Sequence, residues 1–417
     1  MSIQKRGPIR LFVPATITHA RQPAMENLAK ILYDYFRYMP VEIGIDGGNR
    51  RDVKEVASNL AIPESVFYHN GSRTQRRLRK KVEIEIKAPK NSVVYSRKAG
   101  NMAFNVGVEL YKMHDRQIRK SSFAYVDSDI ISMNKNFLQG LFDAYSFSQD
   151  AQYVWADYDR IDKNRELKGR LTRHVVPAFL QALSNMFPYN QELAGFRDFI
   201  VDVEHIGEKD SEKLKRLKFI CSGEGVMDYN LLGQVPWATG YKLEMGRLSW
   251  VHSKDISTVR PYLGLFDHDH QKLEKGQTRS GLGGMATEVA QEILKSARDY
   301  SGANIKEMDK GVFLDLFKMY QADNIENIWK PMAKYLEIEY DSQKEADIAD
   351  SFLSSVEEAL LTQDKDVIIP AWTPKRLNTY RKDLDMIAKE GIRTEESPDY
   401  FIPREPKLYM PPVFATA

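Results

Sequence analysis

Two carboxylates one residue apart, Asp127 and Asp129, end the run Phe123-Ala124-Tyr125-Val126-Asp127-Ser128-Asp129-Ile130. β-Branched and aromatic residues that stop abruptly at acids read as a buried strand running out into a loop. Alternation along that strand turns Asp127 and Asp129 to one side at its carboxyl end, where open α/β sheets bind ligands. Hard oxygen ligands there suit a divalent cation that also holds a diphosphate, because Mg2+ and Mn2+ take a few carboxylates together with substrate phosphates. An Asp-x-Asp also serves simply as a turn after a strand, so that chemistry requires further residues to converge on it.

Several stretches offer them. Asp46-Gly47-Gly48-Asn49 follows the apolar run 41–45; an acid before two glycines admits part of a nucleotide through close backbone approach, or is only a turn. Arg97-Lys98-Ala99-Gly100 opens a helix with Met102, Val106, Leu110 and Met113 on one side, which puts a cation and free N–H groups where an anion can sit. Gly169-Arg170-Leu171-Thr172-Arg173 precedes a helix expected from about Val175 to Met186. Guanidinium, hydroxyl and helix start together form a pocket for a phosphate or carboxylate. Glu224 is a carboxylate between two glycines at the end of an apolar run, and His268 and His270 close the run 263–267. If that run is a strand the two histidines share a side, and a histidine completes a cation site as readily as it fills a structural place.

The elements that must position these residues follow from periodicity. Ile9 to Val13 is a strand that proline stops at Pro14, and Met25, Leu28, Leu32 and Tyr35 mark one helical face. Strand and helix then alternate to residue 129, which predicts right-handed crossovers and a mainly parallel, Rossmann-like sheet flanked by helices. Residues 151–158 form a further strand, and 263–270 another. Past Gly281-Leu282-Gly283-Gly284 helices dominate, with an acidic, solvated face over 337–358 and a proline-rich arm over 396–417. The division predicted is a catalytic unit over 1–295 and a helical C-terminal extension over 296–417.

The chain has 417 residues, 42% hydrophobic and 28% charged, with a formal charge of +2, which gives no global polyanion signal and leaves only local basic patches to bind one. The single Cys221 rules out an internal disulfide and any multi-cysteine zinc site. No run reaches the roughly 18 apolar residues that span a bilayer, and MSIQKRGPIRLFVPA lacks a signal-peptide pattern; a cytoplasmic protein without membrane or nucleic-acid partners is expected. Gly-x-Gly-x-x-Gly is absent after the first strand, as is a P-loop. The basic run 73–81 is read as solvated or phosphate-facing, with a nucleic-acid patch as the alternative.

In order along residues 9–295, these stretches resemble the glucosyl-3-phosphoglycerate synthases, retaining glycosyltransferases of GT-A fold. The likeness is strongest at Ser222-Gly223-Glu224, Pro236, Gly240-Tyr241, Glu244, Gly246, His270, Leu273 and Met285. It implies that Asp129 and His270 hold a Mg2+ or Mn2+ bridging the donor diphosphate, with Asp127 and Ser128 beside the nucleoside and Lys98 near the nucleotide. Pro14, Ala15, Asp46 and Gly47 would complete the nucleotide side. Gly169, Arg170, Leu171 and Thr172 would bind the acceptor, and Tyr241 and Glu244 would lie at the sugar, Glu244 as the catalytic candidate. The reaction implied moves a hexose, glucose first, from a UDP- or GDP-sugar to 3-phosphoglycerate, in a homodimer; mannosyl transfer, or glycerate or another small acid as acceptor, is the alternative. On the nucleotide side the chain departs from the family at Ala15-Thr16-Ile17, Asp46-Gly47-Gly48-Asn49 and Arg97-Lys98-Ala99-Gly100, so the base stays open. A nucleotidyltransferase or phosphatase built on the same carboxylates is the competing enzyme class.

Overall fold

The computed structural model describes residues 8–88, 97–115, 120–148, 150–162, 164, 166–206, 214–218, 220–267, 278, 280–362 and 368–394. In chain order β1 (Ile9–Thr16), α1 (Pro23–Tyr35), β2 (Val41–Asp46), α2 (Arg50–Leu60), β3 (Ser65–His69), α3 (Arg73–Glu85), α4 (Arg97–Asp115), β4 (Ser122–Tyr125) and α5 (Lys135–Phe147) form the first part. There follow β5 (Tyr153–Trp155), β6 (Asp157–Ile161), β7 (Leu167–Lys168), a π-helical turn (Leu171–Val175), α6 (Val176–Met186), α7 (Gln191–Ile200), β8 (Val203–Ile206) and β9 (Leu214–Leu217). Next come β10 (Gly225–Met227), α8 (Tyr229–Leu232), β11 (Trp237–Ala238), α9 (Leu243–Ser253), β12 (Thr258–Val259) and β13 (Tyr262–Asp267). The last part comprises α10 (Gly281–Ser301), α11 (Lys310–Asn324), α12 (Lys330–Tyr335), α13 (Ser342–Leu361), β14 (Ile368–Ile369), α14 (Pro374–Thr379), α15 (Arg381–Glu390) and β15 (Ile392–Arg393).

The main sheet runs β12-β5-β10-β4-β1-β2-β3-β15, with β4, β1, β2 and β3 parallel and β10 and β15 antiparallel to their neighbours. Strand alternation divides its side chains between two cores. Leu11, Val13, Ile43, Ala124 and Val126 pack with α1, α2 and α5 on one face, whereas Phe12, Tyr68, Phe123 and Tyr125 pack with α3, α4 and α6 on the other. The result is the expected three-layer α/β architecture with a helical C-terminal region.

Two strand expectations change. Pro14 does not stop β1, which pairs with β2 as far as Thr16↔Asp46. The ladder with β4 ends at Phe12↔Tyr125, and a residue two positions beyond Phe12 faces that same side, where no N–H is required. The run 151–158 breaks at Ala156: β5 joins the main sheet, while β6 joins β13 and β7 in a separate three-stranded sheet. Both sheets meet at the candidate site.

The chain after residue 295 packs into these layers. β15 closes the sheet edge beside β3. The Trp372 indole N–H donates to the Ala103 carbonyl at 2.6 Å, against Gly107, where a Cβ would come within 2.5 Å of the ring. On α3, Arg77 and Lys81 both pair with buried Asp383 of α15, so part of the basic run is neutralised from within. Among the described residues no helix is long and apolar enough to cross a membrane.

Candidate active site

β4 ends at Tyr125, so Asp127-Ser128-Asp129 follow the strand instead of riding on it, and strand alternation is not what aligns the two acids. The Val126 N–H still donates to the Phe12 carbonyl at 3.2 Å, after which the chain turns across the carboxyl ends of the parallel strands. Lys98, in the first turn of α4, reaches into this turn and donates to Asp127 Oδ1 at 2.6 Å and to Glu244 Oε1 at 2.7 Å. Glu244 comes from the first turn of α9. A lysine, a carboxylate after β4 and a carboxylate 146 positions from the lysine thus form one ion-paired cluster. Burial works against the Lys98 charge, but Asp127, Glu244 and Glu224 outweigh it and raise its pKa above the ordinary lysine value.

Gly223 is what lets this cluster close. A Cβ there would stand 2.0 Å from Asp127 Oδ2 and 2.5 Å from Lys98 Nζ, so any larger residue would push the pair apart. The next residue, Glu224, is fully buried. Its Oε2 accepts the Tyr158 hydroxyl at 2.7 Å, and that hydroxyl accepts from Arg160 Nη2 at 2.8 Å. Burial, then the charge of Asp127, pushes Glu224 up to about 7, although Arg160, Lys98 and Tyr158 pull it partway back.

Asp129 has the same character. Burial, then Asp127, pushes it up to about 6 against the opposing pull of Arg160, Lys98 and His19. A carboxylate raised by burial and a like-charged neighbour is short of positive charge, which fits a hard divalent cation. His268 and His270 lie outside the described residues. Among the described residues no group of three or more histidine, cysteine or acidic side chains gathers as a metal cage.

The other predicted residues divide by location. Pro14, Ala15, Asp46 and Gly47 lie at the carboxyl ends of β1 and β2, with Gly47 and Gly48 at φ +82° and +66° leading into Asn49, which caps α2 in a reciprocal box with Asp52. Ser128 is buried. The Tyr241 N–H donates to Glu288 Oε2 at 2.7 Å beside Gly240. Gly169, Arg170, Leu171 and Thr172 lead into the π-helical turn, a feature frequent at functional sites; Thr172 Oγ1 donates to the Gly169 carbonyl at 2.9 Å. This segment follows β7, whose Lys168 stands opposite Arg160 of β6 in the strand register, on the strand that also carries Tyr158. Arg170 is already engaged: its Nε lies 3.0 and 2.8 Å from the two oxygens of Glu345 on α13.

Several participants were not singled out from the sequence. Tyr158 and Arg160, two apart on β6, share a strand face, a pattern the sequence carried. Arg247 stands three residues after Glu244 on α9; it is buried, with its guanidinium 4.3 Å from the Tyr125 ring centre and the Tyr125 and Tyr153 hydroxyls bonded to each other at 2.7 Å. Burial, then Glu244, pushes the Cys221 thiol up, which makes it a poor nucleophile. Glu345 gave no local signal, since an acid in a helix's first turn reads as ordinary end-charging.

No family model matches the chain, and no curated protein matches it. Among solved structures it is similar to glucosyl-3-phosphoglycerate synthase from Mycobacterium tuberculosis in complex with Mn2+, UDP and glucosyl-3-phosphoglycerate, at 17% identity over 74% of this chain and 84% of that one, TM-score 0.45. It is also similar to mannosyl-3-phosphoglycerate synthase from Rubrobacter xylanophilus, at 18% identity over 73% of this chain and 78% of that one, TM-score 0.44.

Proposed function

We propose that this chain is a metal-dependent glycosyltransferase of GT-A type that uses a nucleotide sugar. Within that class we propose a retaining hexosyltransferase, glucose first, acting from UDP- or GDP-glucose on a small three-carbon acid, 3-phosphoglycerate or glycerate. The carrying observation is the cluster at the strand ends, in which Lys98 bridges Asp127 and Glu244 while Asp129 and Glu224 carry raised pKa values.

Breaking a sugar–phosphate bond develops negative charge on the departing diphosphate and positive charge on the sugar ring. Asp129, with His270 as the second ligand the resemblance implies, would hold a divalent ion whose charge would stabilise the departing diphosphate. Lys98 is a second fixed cation, and its two carboxylate partners hold it in position. Asp127 lies on the nucleoside side. Glu244, turned toward Lys98, orients the sugar hydroxyls and offsets the positive charge on the ring. Tyr241 flanks the sugar, and Gly169 to Thr172 border the acceptor. In a retaining transfer the acceptor hydroxyl arrives on the leaving group's own face, so the diphosphate itself accepts the proton.

The test incubates the protein with a panel of nucleotide sugars, with 3-phosphoglycerate or glycerate, and with Mg2+ or Mn2+, and reads products by mass. A glycoside that forms only with metal is the expected result. Nucleoside diphosphate release without any glycoside would instead favour the hydrolytic class.

A further inference from the structure

Arg170 is closed into an ion pair with Glu345. Both Nε contacts go to Glu345, at 3.0 and 2.8 Å, and Nη2 donates to the same carboxylate. The two side chains are only 10% and 5% exposed. Glu345 sits in the first turn of α13, where the helix N-terminus favours negative charge, and Asp341 caps that helix through the Lys344 N–H at 3.0 Å. Lys344 itself pairs with Glu166 at 2.8 Å, which ties the start of α13 to the segment just before Arg170. The Trp329 ring lies under the guanidinium, 5.6 Å from its carbon. The Glu345 carboxylate therefore sits on the paired Nε and Nη2 donor edge of Arg170, the edge that would otherwise grip a phosphate or carboxylate of a ligand.

We propose that Glu345 determines which acceptor the site takes, by occupying the anion position on Arg170 and excluding a phosphate from it. The inference rests on the glycosyltransferase reading and narrows it: the acceptor is a hydroxy acid without a phosphate, of the glycerate kind. A dianionic phosphate entering beside Glu345 would meet a guanidinium already neutralised and a carboxylate of its own sign. Displacing Glu345 would leave a buried carboxylate without its partner. A hydroxylated end meets neither obstacle.

Calorimetric titration of the native protein, Glu345→Gln and Arg170→Ala tests this, with inorganic phosphate, 3-phosphoglycerate and glycerate as probes and nucleoside diphosphate with Mg2+ present. Glutamine keeps the size of the side chain and removes its charge; Glu345→Asp, which withdraws the carboxylate by one methylene, is the second variant should the first fold poorly. Expected is a gain of at least tenfold in 3-phosphoglycerate affinity in Glu345→Gln, weak or no phosphate binding by the native protein, and a change of less than about threefold for glycerate. Native binding of 3-phosphoglycerate in preference to glycerate, abolished by Arg170→Ala and unchanged by Glu345→Gln, would overturn the proposal. Absence of nucleoside diphosphate binding in the native protein would strike the glycosyltransferase reading instead. Inorganic phosphate would then still decide whether Glu345 closes Arg170, because its binding to Glu345→Gln and not to the native protein needs no sugar donor.

Discussion

At Lys98 one cation faces Asp127 and Glu244 directly and Glu224 through space, whereas at Arg170 one cation faces one carboxylate in a closed pair. Both regions are largely buried, yet the first holds an excess of acids and the second a matched pair. Burial, then the charge of Asp127, raises the pKa of both Asp129 and Glu224, and such a cluster is completed by bringing in positive charge. A matched pair has no such demand. On the proposed reading, the first region takes a cation with its anionic ligand and the second meets neutral groups.

Removing the cation should break the comparison most severely. In Lys98→Ala the paired acids lose their counter-charge at the site, so the protein should lose about 3 kcal/mol of stability in urea unfolding, the low end for breaking a buried pair because Lys98 is partly exposed. Sugar transfer should fall at least about a hundredfold, on the scale of losing a fixed transition-state charge. Asp127→Asn in the same background should recover part of the stability and none of the activity. Equal stability of Lys98→Ala and the native protein would show that the cluster is not electrostatically strained.

A smaller effect should come from Glu224 and depend on pH. Its folded pKa is about 7 against an ordinary 4.5, so between those values the folded chain holds a proton that the unfolded chain has released. Stability from this group is therefore present below the ordinary value and lost as pH rises through 7. Glu224→Gln, which can still accept the Tyr158 hydroxyl, should be more stable than the native protein at pH 8 by up to about 3 kcal/mol, with the gap closing toward pH 4.5. Denaturant titrations across that range measure it, and a gap independent of pH would refute the assignment.

The smallest change in stability is expected at Gly223. A methyl group there meets the ends of two side chains and no backbone, so Gly223→Ala should cost about 1 kcal/mol, the low end of overpacking. The displaced Lys98 should nevertheless weaken nucleoside diphosphate binding at least about tenfold, roughly 1.4 kcal/mol. Unaltered binding would mean that Lys98 does not serve the nucleotide.

The order of strands and helices to residue 129 was legible because each strand is short, apolar and followed by a helix with one apolar face. Asp127 and Lys98 were legible as separate signals, an acid at a strand end and a lysine at a helix start, and Glu244 only through the family resemblance. Their meeting was not, since nothing in local spacing joins Lys98 to a residue 146 positions away. The apolar pattern continues to Ile130, but the ladder with β1 ends at Tyr125 and its last hydrogen bond is the one from the Val126 N–H. The acidic stretch 337–358 was read as solvated, yet Glu345 within it is buried.

The sequence by itself determined the alternation of elements, the two-sided sheet and the residue types able to serve a cation and a diphosphate, because periodicity and local backbone preference act over a few residues. Only the tertiary structure decided which charges are balanced. Lys98 with two acids and Arg170 with Glu345 are distances between remote segments, and electrostatic balance depends on those distances and on burial, neither of which any short stretch of chain contains.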